Sequence, residues 1–120
     1  MERDQSVLRV MDQSSGDAIV VTVQGEIDLA TVDVLSDRLA QICERAVAIT
    51  IDLRRVSFLD CVGLRLLLAV HADGVARGCD VDFVQGPRAV QRVFELTGTL
   101  DTLPFTVPGA AAAAETASIA

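Results

Sequence analysis

The chain has 120 residues, 51% of them hydrophobic, with four Phe, no Trp or Tyr and a formal charge of −7. That length suits one domain with a core of its own, which must be built from Val, Leu, Ile and Ala. The acidic balance argues against a nucleic-acid partner, because phosphate binding needs a basic face. No apolar run reaches the roughly 18 residues that span a bilayer, and no basic-then-apolar leader opens the chain. A soluble, cytoplasmic protein without membrane insertion is expected.

Ser6 to Met11 alternates weakly and reads as an edge strand, followed by a polar turn over Asp12 to Asp17. Ala18 to Gln24 reads as a strand, with Ile19, Val21 and Val23 on one face, Val20 and Thr22 on the other, and Gly25 as its end. Thr31 is placed to cap a helix whose apolar stripe is Val32, Leu35, Leu39 and Ile42, at spacings of three and four. Val47 to Leu53 is the next strand. A helix between two strands favours a βαβ crossover and parallel pairing.

Phe58-Leu59-Asp60-Cys61-Val62-Gly63-Leu64 then joins an apolar strand to an apolar helix through an acidic residue, a small residue and a glycine. Such a corner leaves N–H groups unpaired at the helix start and suits an anion or a protein contact. The helix runs to about Arg77, with Gly78 as its left-handed stop. At 100° per residue, Leu64, Leu67, Leu68 and Val75 form its core face, with His71 on the same side. Val62, Leu66 and Val70 form a second apolar stripe that a one-sided surface helix does not need. Either another element of the chain covers it or a partner does, and a homodimer would use it equally well.

Val81 to Val84 is a short strand. Gly86-Pro87 opens a third helix, with Val90, Val93 and Phe94 inward and an end near Thr97-Gly98. Leu103 to Val107 reads as a last strand, and residues 108–120 as an alanine-rich tail, a frayed helix or disordered. The alternation of elements predicts a single α/β layer of sheet with one face covered by helices. Cys43, Cys61 and Cys79 have no metal spacing and an odd count, which points to reduced thiols. No metal, cofactor or enzymatic activity is expected. Cys61 and His71 lie ten residues apart on different faces of one helix, without an oxyanion-hole motif.

Four segments, in order, resemble the STAS-domain anti-sigma-factor antagonists of bacteria. Gly25-Glu26-Ile27-Asp28 is similar to the family's Gly-Glu-Leu-Asp after its long strand. Ile51-Asp52-Leu53 and Val56-Ser57-Phe58-Leu59-Asp60 match the approach to its switch, and Gly63-Leu64 opens the next helix. Gly86 to Gly98 resembles a segment of the pattern Ser-Pro-x-Val-x-Arg-x-Phe-x-x-Ser-Gly. The resemblance implies a STAS domain over 1–107, with a mixed sheet of four or five strands and helices packed on one face. It implies a protein that binds a kinase-like anti-sigma factor and thereby frees a sigma factor to act in transcription.

In that family the corner reads Asp-Ser-Ser-Gly-Leu, and phosphorylation of the first serine releases the partner. By position Cys61 stands at the phospho-acceptor site, with Asp28, Asp60, Val62 and Gly63 beside it and Val62, Leu66 and Val70 on the partner surface. Val62 replaces the second serine, so both hydroxyls are missing, and a thiol is a poor acceptor for a serine kinase. Cys61 reads as a small residue filling the serine's space or as a redox-controlled thiol, with residual phosphorylation elsewhere as a third reading, for which Ser57 on the approach to the corner is the nearest hydroxyl. Asp60 and Asp28 could each serve simply as helix caps. The alternative function is a STAS adaptor subunit of a lipid-transport ATPase or of a stress-signalling complex.

Overall fold

β-Branched residues at every second position and leucines at helical spacing produce alternating strands and helices in the computed structural model, which describes residues 8–106. The order is β1 (Leu8–Ser15), β2 (Ala18–Ile27), α1 (Val32–Cys43), β3 (Ala48–Leu59), α2 (Cys61–Arg77), β4 (Asp80–Val84), α3 (Arg88–Leu96), a 3-10 turn (Leu100–Thr102) and β5 (Phe105–Thr106). The five strands form one sheet in chain order, with β1 antiparallel to β2 and the other pairs parallel. Each helix carries the chain one strand further in the same direction. Right-handed crossovers then put all three helices on one face.

Burial follows that layering. Ile19, Val21, Val23 and Ile27 of β2 and Ile49, Ile51 and Leu53 of β3 are buried with Leu35, Leu39, Leu64, Leu67 and Phe94 of the helices. Val20, Thr22, Gln24 and Thr50 stay half-exposed on the helix-free face. Phe105 closes the far edge, its ring 5.0 Å from Phe94 and 5.7 Å from Phe83. The expected α/β domain with a mixed sheet and one helix-covered face is the fold found. The alanine-rich tail expected over 108–120 lies outside the described residues, as does Val107.

Several boundaries differ from expectation, each for a local reason. The polar turn is shorter, because Asp12 to Ser15 continue β1 and leave Gly16-Asp17 as a two-residue hairpin loop. Gly16 has φ 63° at the loop's first position, where a positive φ is needed. Asp12 is held in the strand by Arg38 of α1 and by Arg45, so its polarity does not mark a turn. Gly25 does not end β2. It lies within the strand at φ 109°, next to the second of two register shifts against β3. β3 runs on to Leu59 because those shifts absorb its extra residues. Val75 is 65% exposed rather than in the core. Gly74 takes the sheet-facing position, where a Cβ would come 2.5 Å from Val81 Cγ2 and 3.0 Å from the Cys79 carbonyl.

Asp52 is the charged residue that the sheet buries, 4% exposed on the helix-free face. Its carboxylate accepts from the Arg54 guanidinium at 2.7–3.1 Å and from the Arg54 backbone N–H at 3.0 Å. Burial pushes this carboxyl up, but the side chain and backbone of Arg54 hold it below the ordinary 3.8. Arg45 and Arg38 lower Asp12 likewise. Lowered native values mean that both carboxylates stabilise the fold fully above the unfolded range near 3.8 and lose that effect as pH falls through their native values. Asp52→Asn should therefore unfold more easily at pH 7, by about 1–3 kcal/mol, and lose less of its remaining stability than the parent between about pH 5 and 2. Urea titrations at several pH values measure both; parallel pH profiles would disprove the assignment.

Candidate functional site

At the C-terminal end of the parallel strands, β3 turns into α2 through Asp60. This residue has an extended backbone (φ −102°, ψ −176°), and its Oδ1 accepts the Gly63 N–H at 2.9 Å. That is an N-cap, and it satisfies a donor that the helix start would otherwise leave open. The second oxygen, Oδ2, accepts the Leu29 N–H at 3.3 Å from the β2–α1 loop. Asp60 therefore ties two loops together at the top of the sheet, with both oxygens engaged by backbone donors.

Asp28 acts within its own loop, between β2 and α1. Its Oδ1 accepts the N–H groups of Ala30 and Thr31 at 3.0 and 3.1 Å, and its carbonyl accepts the Val32 N–H at 2.8 Å. Thr31 occupies the N-cap position expected of it but makes no side-chain cap hydrogen bond, and Asp28, three residues earlier, holds the turn that leads into the helix. Thr31 is buried, its hydroxyl donating to the Glu26 carbonyl at 2.8 Å and accepting from the Asp28 N–H at 3.0 Å. Both acidic residues singled out in the sequence bind backbone N–H groups, Asp60 at the start of α2 and Asp28 in the turn before α1.

Gly63 explains how closely the corner closes. A Cβ there would lie 2.6 Å from Ile27 Cγ2, 2.8 Å from the Ile27 carbonyl and 2.8 Å from Leu59 Cδ1. The close approach that a glycine permits here is to β2 and β3 of the same chain. The Asp60 N–H donates to that same Ile27 carbonyl at 3.2 Å, so α2 starts directly on the end of β2.

Cys61 is the first residue of α2 and is exposed. Val62, beside it, is half-buried. Leu66 and Val70 are partly buried against the core and line, with Ser36, Leu39, Ala40 and Cys43, a groove between α1 and α2. The second apolar stripe of α2 thus has one edge covered by α1 and the other open. Cys79 is buried and Cys43 half-buried, with burial pushing both thiols up from 9.0. His71 lines a shallow depression with Val75, Cys79 and Pro104 at the other end of α2, roughly 15 Å along the helix from Cys61. The structure does not bring the two together as a nucleophile and base.

Three exposed apolar residues near this corner are not marked by the sequence pattern as surface residues. Leu29 is 73% exposed on the loop that Asp60 holds, Val34 is 59% exposed in the first turn of α1, and Phe58 is 50% exposed two residues before the cap. Leu29 carried a usable signal, as a lone large apolar residue inside a capping turn. Phe58 did not, because the register shift that pairs it with exposed Glu26 is invisible in the alternation pattern. The corner thus presents a solvent-facing thiol beside exposed apolar side chains. Among the described residues no three His, Cys, Asp or Glu side chains gather to hold a metal ion, and no helix is long and apolar enough to cross a membrane.

Comparison with known proteins places this corner in context. Residues 10–104 match the family described as Mlab, STAS domain. Among solved structures, an anti-sigma factor antagonist from Mycobacterium paratuberculosis has 29% identity and a TM-score of 0.75, over 84% of this chain and 86% of that one. The Bacillus cell fate determinant SpoIIAA in its phosphorylated form has 17% identity and a TM-score of 0.69, over 92% of this chain and 98% of that one. SpoIIAA in its unphosphorylated form gives 18% identity and the same TM-score, over 87% and 91%. At those identities the likeness to SpoIIAA is one of fold. A search of curated proteins finds no match.

Proposed function

Because the chain belongs to the STAS domain family, we propose that it acts as an anti-sigma-factor antagonist whose phosphoswitch has lost its acceptor. It binds a kinase-like anti-sigma factor through the Asp60–Val70 segment and frees a sigma factor, and Cys61 stands where the phosphorylated serine would be. The observation that carries this reading is the exposed Cys61 on a corner kept in shape by the Asp60 carboxylate and by Gly63. Leu29, Phe58 and Val62 give the same corner the apolar area that a protein contact needs. The 29% identity to the mycobacterial antagonist supports the general role.

Asp28 and Asp60 act in this reading by shaping the surface, since both oxygens of Asp60 and Oδ1 of Asp28 accept backbone N–H groups. Leu66 and Val70 contribute through the open edge of the α1–α2 groove. Leu66→Ala should keep the fold, because the side chain is only partly buried, and weaken binding by about 1–2 kcal/mol. Calorimetric titration of the anti-sigma factor into both proteins, with thermal melts alongside, measures this. Unchanged affinity with a large loss of stability would assign Leu66 to the core alone.

A second reading is favoured by the description of the matched family, which names Mlab. Under it the same corner and groove dock on a transport ATPase as an adaptor. Co-purification separates the two: retention by a kinase-like anti-sigma factor and not by the ATPase supports the antagonist role, and the reverse result supports the adaptor.

A further inference from the structure

All ten basic residues of this chain, its one histidine aside, are arginines, and Arg9, Arg54 and Arg55 lie on the helix-free face of the sheet. Arg9 of β1 is opposite Gln24 of β2, which is opposite Arg55 of β3. Directly opposed residues share a face, so Arg9, Gln24 and Arg55 form one row across three strands, its ends about 10 Å apart. The first register shift produces this row: two steps along β2, from Thr22 to Gln24, face three along β3, from Asp52 to Arg55. Without the extra residue, the alternation from Asp52 would turn Arg55 toward the helices.

Both end guanidinium groups are exposed, and neither meets a carboxylate at ion-pair distance among the described residues. The acids on the same face are placed otherwise. Asp52 is held by Arg54 and also feels the charge of Arg55, Asp82 accepts from the Thr50 hydroxyl at 2.6 Å, Asp80 lies at the start of β4 opposite Ala48, and Glu26 sits beside Phe58 one row nearer the switch corner. Next to the arginine row lie Thr22, half-buried Val20 and Met11, the last 43% exposed. The row is therefore cationic and edged by apolar side chains, on a chain whose net charge would repel acidic groups elsewhere.

We infer that this face is a second docking surface, separate from the switch corner, and that its occupant is an extended acidic segment of a protein partner. Guanidinium forks match carboxylates in geometry as well as charge. The depressions on this face, along Thr22, Gln24 and Arg55, are shallow and do not enclose a small ligand, whereas a peptide laid across the strands can reach both arginines and set apolar side chains on Met11 and Val20.

The test uses the full chain and a short labelled peptide of alternating glutamate and leucine, with its glutamine–leucine counterpart as the neutral control. Anisotropy should show binding of the glutamate peptide alone, weakening as salt is raised. The pair Arg9→Glu and Arg55→Glu should raise its Kd at least about tenfold with an unchanged Tm. The milder pair Arg9→Gln and Arg55→Gln should give a smaller loss in the same direction, which keeps the test valid if charge reversal disturbs folding. Absence of binding, or binding equally tight in the glutamine pair, would overturn the inference. So would exclusive binding to vesicles containing phosphatidylserine, since the occupant would then be a lipid surface.

Discussion

Gly63→Ala should lower stability by about 2–4 kcal/mol, a fall in Tm of roughly 10–25 °C for a domain of this size. Alanine is normally favoured over glycine in a helix by up to about 1 kcal/mol, so the sign of this substitution tests the packing. The added methyl would sit 2.8 Å from the Ile27 carbonyl, a backbone atom that also accepts the Asp60 N–H. It cannot move without pulling the end of β2 from the start of α2. The nearby side-chain atoms, Ile27 Cγ2 and Leu59 Cδ1, belong to buried residues with little room to turn. Displacement of α2 would also lengthen the Asp60–Gly63 and Asp60–Leu29 hydrogen bonds, so partner affinity should fall with stability. A thermal melt by circular dichroism is sufficient, and an unchanged or raised Tm would show that α2 does not rest on β2 as described.

Cys61→Ser should have the largest effect on regulation while barely affecting the fold. The residue is exposed at the first position of α2, and sulfur and oxygen differ little in volume. The corner around it keeps its cap and its glycine, so the new hydroxyl is presented on an intact surface. A kinase-like anti-sigma factor supplied with MgATP should then phosphorylate Ser at 61, adding about −1.5 to −2 charges beside Leu29 and Val62. That charge in an apolar contact should weaken binding at least about tenfold. Intact mass spectrometry follows the modification, and titration before and after ATP follows the affinity. Phosphorylation of the variant without loss of affinity would mean that the contact lies away from Cys61.

How much of this could be read from residues alone depended on whether the cause was local. The stripe Leu35, Leu39 and Ile42 and the stop at Gly78 follow from spacing and from a single left-handed position (φ 79°), and both are found where expected. The corner was legible because Asp60, Gly63 and Leu64 keep a pattern whose parts are adjacent in the chain. What stayed hidden involves partners distant in sequence. Asp12 reads as a turn residue until Arg38 and Arg45 are seen on it. Gly25 reads as a strand end because a register shift needs two strands to define it. The same shifts conceal Phe58 and align Arg9 with Arg55. On α2 a periodicity count chose Val75 for the core, but Gly74 faces the sheet because removing a side chain lets the helix come closer.

Binding at the switch corner without phosphoryl release is measured on the unmodified chain. The Kd for a kinase-like anti-sigma factor is measured before and after incubation with MgATP, with intact mass recorded on the same samples. Binding is expected with the same Kd in both samples and with no phosphate at Cys61 or at the nearby exposed Ser57. Phosphate at either residue, together with a weakened complex, would contradict it.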